Sequence, residues 1–474
     1  MKNPMYKQIL YAFALWCHQF QIGFIYGLQG LLILNFRKPG SLIHLTAAQE
    51  SWIPAITTLV LFPTRVVAGV LTTRYGRKWI LVLLVMPNLI TVVTLYFAYD
   101  FTMLISAYLI CGFSGAASAV QSIAIAECCS PRIRGTLLDI KYTMVVFGFG
   151  AARLSEKFFD WRHLILISIL PLLVTLTIMI LSHDSPAWLA SQGRFQECTK
   201  AFNWFRGEEE KEELDKLIEW QDRVITKKSA DRSGKLRRIA KVLMDKGFLK
   251  ATMITCACLL FYDMTGRIPV IAYLDILNSI TKDPANVNYY AFLIDMCDLL
   301  GLSLSAILVK KMRRRTLVFG LGIPTLLMLY TFCGISYISY LNLLPARLSW
   351  LPFTVMVVYF FMINACALGT FFTIQSEVYP LAFRGVGIAV AGFVFTLSTF
   401  IIVKMTPTFL KSVGVHGLFS IFAIILSLIM LFLYFYLPET FNKTLQNIEV
   451  ELKDVGGNDL TSNVEANEKM LINK

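Results

Sequence analysis

The chain has 474 residues, 56% of them hydrophobic and 16% charged, with a mean hydropathy of +0.62. Soluble domains carry about a quarter charged residues, so this composition cannot cover a soluble protein of this size and points to a chain embedded in a membrane. The net charge of +13 gathers in short loops and one hydrophilic stretch, which sets nucleic-acid binding aside as its explanation.

A membrane-spanning helix needs about 20 mainly apolar residues. On that rule spans are predicted at 9–34, 52–72, 79–98, 102–126, 136–154 and 163–182. The first is too long for a signal-peptide core and has no small-x-small cleavage site, so it reads as a span. A hydrophilic interval follows at 190–247, with EEEKEELDK (208–216) and KKSADRSGKLRR (227–238), a pattern of charged amphipathic helices and a basic linker. It reads as a cytosolic platform, not a catalytic domain. Spans resume at 248–274, 288–309, 316–337, 349–376, 385–409 and 416–437. The expected fold is therefore all-α, with twelve transmembrane helices in two six-helix bundles. The division is 1–189, the insert 190–247, 248–440 and a tail 441–474.

Basic residues concentrate in alternate loops: RYGRK (74–78), PRIRG (131–135), the insert, KKMRRR (310–315) and Arg384. The other loops hold only isolated cations such as Arg37, Lys38 and Lys282, so both termini are expected in the cytosol. The ten cysteines lie mostly in apolar runs, with neither metal-ligand nor disulfide-framework spacing. There is no GxxxxGK[ST], HExxH or GxSxG, which argues against an enzyme, against ATP drive and against a cofactor or metal.

The halves echo each other. AECCSPRIRG (126–135) sets Glu127 seven residues before Arg134, and SEVYPLAFRG (376–385) sets Glu377 seven before Arg384. GVLTTRYGRK (69–78) matches AILVKKMRRR (306–315), and HDSPAWL (183–189) matches LPETFNKTL (437–445). Three pairs in one order, offset by about 240 to 255 residues, indicate a duplicated six-span unit. Parallel repeats of this kind occur in two-halved secondary transporters, whose substrate site lies between the halves near the bilayer midplane.

These motifs resemble the sugar porter family of the major facilitator superfamily, and LTAAQESWI (45–53) resembles the entry to span two in insect facilitated trehalose and glucose transporters. The resemblance covers about residues 9–450. It implies a carrier of a small-molecule solute, most simply a hexose or trehalose, moving by alternating access as a monomer in the lipid bilayer of the plasma membrane. It also implies that Glu127, Arg134, Glu377 and Arg384 exchange ion pairs across the halves as a gate, joined by Arg77, Arg314, Arg315 and Glu439. The chain departs from the family pattern at Thr73, Ala187 and Arg313.

By the same resemblance, span seven carries sugar-binding amides in QQLSGIN. Aligned on Gly266, Tyr262 and Asp263 stand at the glutamines and Ile268 at the asparagine. Tyr142, Phe372, Phe395 and Asp298 take positions that face sugar in the family, and Ile25 stands where proton-coupled relatives keep an aspartate. An aromatic and acidic lining leaves two alternatives open: a non-sugar organic solute, cationic ones included, or a non-transporting sugar-sensor-like paralogue. Asp263 and Arg267 sit four residues apart in an apolar segment, and that spacing predicts a self-neutralising pair with a substrate or gating role. Arg65 and Lys141 are expected to pair with Glu127 or Asp139, and Lys404 to snorkel at an outer end.

Overall fold

The structure, a computed structural model, describes residues 4–37, 40–41, 43–207, 210–230, 246–379 and 384–440. The tail 441–474 and part of the basic linker lie outside the described residues. Among the described residues nineteen α-helices account for the fold and no strand occurs. The first half holds α1 (Pro4–Phe36), α2 (Ala47–Tyr75), α3 (Arg77–Tyr96), α4 (Phe101–Ser114), α5 (Ala117–Cys128), α6 (Pro131–Ser155), α7 (Trp161–Ile167) and α8 (Ile169–Leu181). The insert is taken to begin at Pro186, four residues before the expected boundary, and holds α9 (Pro186–Ser191), α10 (Phe195–Arg206) and α11 (Lys211–Ala230). The second half holds α12 (Lys246–Asp263), α13 (Arg267–Ala272), α14 (Asp275–Thr281), α15 (Val287–Lys311), α16 (Arg314–Tyr340), α17 (Leu351–Ile363), α18 (Gly369–Val378) and α19 (Arg384–Tyr436).

In hydrocarbon every backbone polar group must find its partner within the protein, which restricts such a sequence to helices. Nine helical stretches among the described residues are long and apolar enough to cross a membrane. α1 and α6 are equally long but more polar, because they carry their polar side chains inward: His18, Gln19, Gln21 and Gln29 on α1, Lys141 and Arg153 on α6, all buried. α19 runs through 53 residues but breaks at Gly414 (φ 69°), where only glycine is at ease, and so serves as two spans.

Local signals agree with the helix starts. Thr46 and Gln49 form a capping box at the head of α2, the side-chain acceptor bonds measuring 3.3 and 2.9 Å. Asp100 caps α4 through the Met103 amide at 2.8 Å. α1 and α6 cross at glycines: a Cβ on Gly23 would lie 2.0 Å from the Val145 carbonyl oxygen, and one on Gly148 would lie 2.2 Å from that of Phe20. Small residues let membrane helices approach this closely, and dispersion then holds them.

The halves meet through α6 with α15, α2 with α19, and α1 with α13. The insert has its own small core of Trp188, Leu189, Cys198, Phe202 and Leu214. It docks on the first half through Arg206, which donates to the Cys129 carbonyl at 2.8 Å, and through the Phe205 carbonyl, which accepts from Gln8 at 3.1 Å. This side of the bundle is the insert end; the opposite side, where α1 finishes at Phe36, is the far end.

Candidate functional site

Two breaks in regular helix set up the site. α12 stops at Asp263 and α13 starts at Arg267, with Gly266 between them in the left-handed region (φ 77°). A π-helical turn at Asn364–Leu368 separates α17 from α18. Such irregularities inside a membrane protein occur where the backbone is enclosed by protein or lines a path.

The break overturns the expected Asp263–Arg267 pair. Four-residue spacing stacks two side chains only on a continuous helix, and the left-handed turn directs Arg267 toward α15 instead. There its Nη2 donates to Asp295 at 2.5 Å and its Nε to Asp298. Asp295 also accepts from Arg153 Nη1 of α6 at 2.9 Å, and Asp298 accepts from Asn364 at 2.7 Å. All four charged side chains are at most 4% exposed. Two arginines and two aspartates thus form a neutral quartet buried between the halves. Charges inside a membrane persist only when paired in this way. Arg153 Nε and Nη2 and Arg267 Nη1 are buried without a hydrogen-bond partner.

Asp263 turns the other way. It is fully buried and accepts from Thr399 Oγ1 at 2.8 Å and from Ser398, both on α19. Beside it the Tyr262 and Phe395 rings lie 6.3 Å apart, both half-buried. Ile268 is half-buried two residues beyond Gly266, and Tyr142 projects from α6, 38% exposed. The structure therefore gathers Tyr262, Asp263 and Phe395 on one part of the second half and Arg267 with Asp298 on another. The side chain of Phe372 lies outside the described residues. Asp298 is already neutralised by Arg267, so it is not an open anchor for a cationic solute. Ile25 is fully buried in the apolar core, and α1 carries no carboxylate.

At the insert end, Arg77 makes a two-point contact with Glu127, both bonds 2.8 Å, and Ser185 adds a third at 2.5 Å. Asp184 accepts the backbone N–H groups of Arg77 and Lys78 at 2.9 and 3.2 Å. In the second half Glu439 accepts those of Arg314 and Arg315 at 3.0 and 3.1 Å. Each carboxylate thus caps the positive end of the helix that begins there, α3 or α16. The same device at equivalent places in both halves is the sequence repeat made visible. Ion pairs exchanged across the halves were expected here; the described contacts of Glu127 and Glu439 each stay within one half, because the basic loop sits at the start of the helix next to its own acid. Arg134 is exposed, and the side chains of Glu377 and Arg384 lie outside the described residues.

The described polar bridges between halves lie toward the far end. Arg37 holds Glu50 of α2 through bonds of 2.7 and 2.5 Å and Asp275 of α14 at 2.6 Å. These partners, Glu50 first, hold its guanidinium above its ordinary pKa, so the latch stays ionised at any physiological pH. Glu156 accepts from Asn35 at 3.3 Å and from Asn288 at the head of α15. Lys404 donates to Ser51 at 2.7 Å and stands 4.0 Å from the Trp52 ring centre, so it bridges the halves instead of merely snorkelling.

Arg153, Asp295, Asp184 and the Arg37 latch were not singled out from the sequence. Asp295 and Asp298, three residues apart on one face of an apolar helix, were the available signal. Arg37 and Asp275 are 238 positions apart and carried none. Nor do Arg65 and Lys141 pair with Glu127 or Asp139: Glu127 is taken by Arg77, and Lys141 donates to Ser118 and Ser122.

Comparison with known proteins agrees with this architecture. The chain is 25% identical over 450 residues to the facilitated trehalose transporter Tret1 of Bombyx mori, covering 94% of this chain and 87% of that protein. It is 24% identical over 455 residues to Tret1 of Drosophila pseudoobscura, covering 94% of this chain but 51% of that protein. It thus spans only about half the length of the Drosophila relatives. An inward open structure of the xylose transporter XylE from E. coli superposes with a TM-score of 0.73 at 16% identity, covering 95% of this chain and 100% of that one. A second XylE structure, described as a major facilitator superfamily symporter, gives a TM-score of 0.70 at 16% identity, covering 94% and 98%. These likenesses establish the major facilitator fold. The sequence pattern of the family described as "Sugar (and other) transporter" matches residues 9–452. Duplicated halves, broken helices at their seam and a family match over nearly the whole chain agree: the protein is a membrane-embedded member of the sugar (and other) transporter family.

Proposed function

We propose that this protein carries a sugar, of the hexose or trehalose class, down its gradient by alternating access. The observation that supports it most is the set of polar bridges that join the halves toward the far end: Arg37 with Asp275, Glu156 with Asn288 and Lys404 with Ser51. A carrier that opens to one side at a time must close the other with contacts that can be undone. The partly exposed Arg37–Asp275 pair is worth about 0–1 kcal/mol, small enough for substrate binding to tip. The Tyr262 and Phe395 rings supply faces on which a pyranose can rest, with Tyr142 offering a hydroxyl from the first half. The basic loops favour the insert end, with both termini, on the cytosolic side, so the arrangement is inward-facing. Glu127 with Arg77 and Glu439 with Arg314 and Arg315 brace the helix ends that move, with Arg134, Glu377 and Arg384 completing the set. Operation as a monomer in the plasma membrane belongs to the same reading.

The absence of a carboxylate on α1 favours facilitated movement over proton coupling. Protein in proteoliposomes should take up labelled glucose or trehalose to equilibrium, and a protonophore should not change the rate. Accumulation above equilibrium that the protonophore abolishes would overturn the facilitated part of this reading.

A second expectation concerns the latch. Asp275→Asn removes the inter-half partner of Arg37 and leaves its Glu50 contact. Loss of about 1 kcal/mol shifts a two-state population about fivefold. A cysteine placed on the far-end face of the seam should therefore react several times faster with a membrane-impermeant maleimide. An unchanged labelling rate would show that the latch does not hold the seam closed.

A further inference from the structure

Arg65 and Lys141 take no part in the buried quartet, the helix-end contacts or the far-end latch. Arg65 lies on α2 three residues after Phe62, whose ring is 4.5 Å from that of Phe393 in the second half. Residues three apart share a helix face, so Arg65 looks toward the seam between the halves. It is half-buried, it makes no hydrogen bond or ion pair with any described residue, and its Nε is fully buried without a partner. Lys141 is fully buried on α6. Its ammonium donates only to neutral oxygens, the Ser118 carbonyl at 2.9 Å and hydroxyl at 3.4 Å and the Ser122 hydroxyl at 2.5 Å, and lies 4.2 Å from the centre of the Tyr142 ring.

The two cations stand at one depth, since Arg65 comes ten residues before the end of α2 and Lys141 ten residues after the start of α6. Arg65 lies within electrostatic reach of Lys141, Tyr142 and Tyr26. Along 21–30 of α1 Tyr26 is the one residue that is not buried, and Tyr142 beside Lys141 is 38% exposed. Two like charges inside a membrane, with no acid between them among the described residues, are an arrangement that an anion would relieve. The contrast with the neutral quartet, where each arginine has its aspartate, is plain.

We propose that Arg65 and Lys141, with the Tyr142 hydroxyl beside them, form a subsite for the acidic group of a hydroxylated solute. The carrier then takes sugar acids, bearing a carboxylate or a phosphate, in preference to the neutral parent sugar. A guanidinium presents two parallel N–H donors to either group. The inference rests on the carrier reading and narrows its substrate class.

The test titrates purified protein with glucose, glucuronate, glucose 6-phosphate and sodium sulfate at constant ionic strength, reading thermal stabilisation. In the wild type at least one sugar acid should act at about tenfold lower concentration than glucose, as expected for one desolvated charge contact. The better of the two acids identifies the group. Arg65→Gln should bring that ratio toward one, whereas Arg65→Lys, which keeps the charge, should retain part of it. The wild-type ratio alone decides the matter if Arg65→Gln does not fold. Equal potency of glucose and both acids overturns the subsite and leaves the carrier reading standing. Sulfate as potent as the sugar acids overturns the assignment to a sugar. No response to any sugar counts against the subsite and the carrier reading together.

Discussion

Asp295→Asn is expected to lower the stability of the purified protein by about 3–5 kcal/mol, the cost of leaving a buried charge without its partner. Asp295 lies between two arginines, and its loss strands Arg153 of the first half at a position with no exposure. Because the quartet is neutral only as a whole, the double variant Arg153→Met with Asp295→Asn should be more stable than either single variant. It leaves Arg267 and Asp298 as a balanced pair. Thermal denaturation in detergent measures all three. A single variant that melts with the wild type, or a double no better than the worse single, would show that the four charges do not act as a unit. Transport should fall with the single variants by more than their folded fraction explains, because the same bond sets how the halves meet.

Gly148→Val should be as damaging, for a reason of shape alone. The added carbon would fall 2.2 Å from the Phe20 carbonyl oxygen and 2.7 Å from the Phe24 amide nitrogen, both backbone atoms that cannot rotate away. Overpacking typically costs about 1–3 kcal/mol where side chains can yield, and more is expected where only a whole helix can move. Little folded carrier should be recovered. Gly69→Ala on α2 is the matched control, since nothing lies within 4 Å of the new carbon. That change should be neutral or stabilise by up to about 1 kcal/mol through helix propensity. The comparison is read as the monodisperse fraction on size exclusion; equal recovery of both variants would refute the tight α1–α6 crossing.

Much of the architecture was legible in the sequence because membrane insertion writes it in long apolar runs and because the repeat places Glu127 and Glu377 at equivalent points. The helix-capping acids were half legible: Glu439 stood out beside Arg314 and Arg315, while its counterpart Asp184 did not. The pairing of Arg267 was misread because it depends on one left-handed residue, Gly266, which breaks the helix that the spacing rule assumes. Arg153 sits at the edge of a predicted span, where a cation reads as an ordinary flank, and only the meeting of α6 with α15 makes it a partner of Asp295. The far-end latch is a product of tertiary structure throughout, since Arg37, Glu50 and Asp275 come from a loop and two helices of different halves.

Counterflow tests the central claim most directly. Proteoliposomes preloaded with unlabelled glucose or trehalose are diluted into a trace of the same labelled sugar, and uptake is followed with time. A carrier that returns faster loaded than empty will draw label in transiently above its equilibrium level, and that overshoot is the result expected here. Label that enters no faster than in empty or protein-free vesicles, for both sugars and for the sugar acids, would contradict transport by alternating access in this protein.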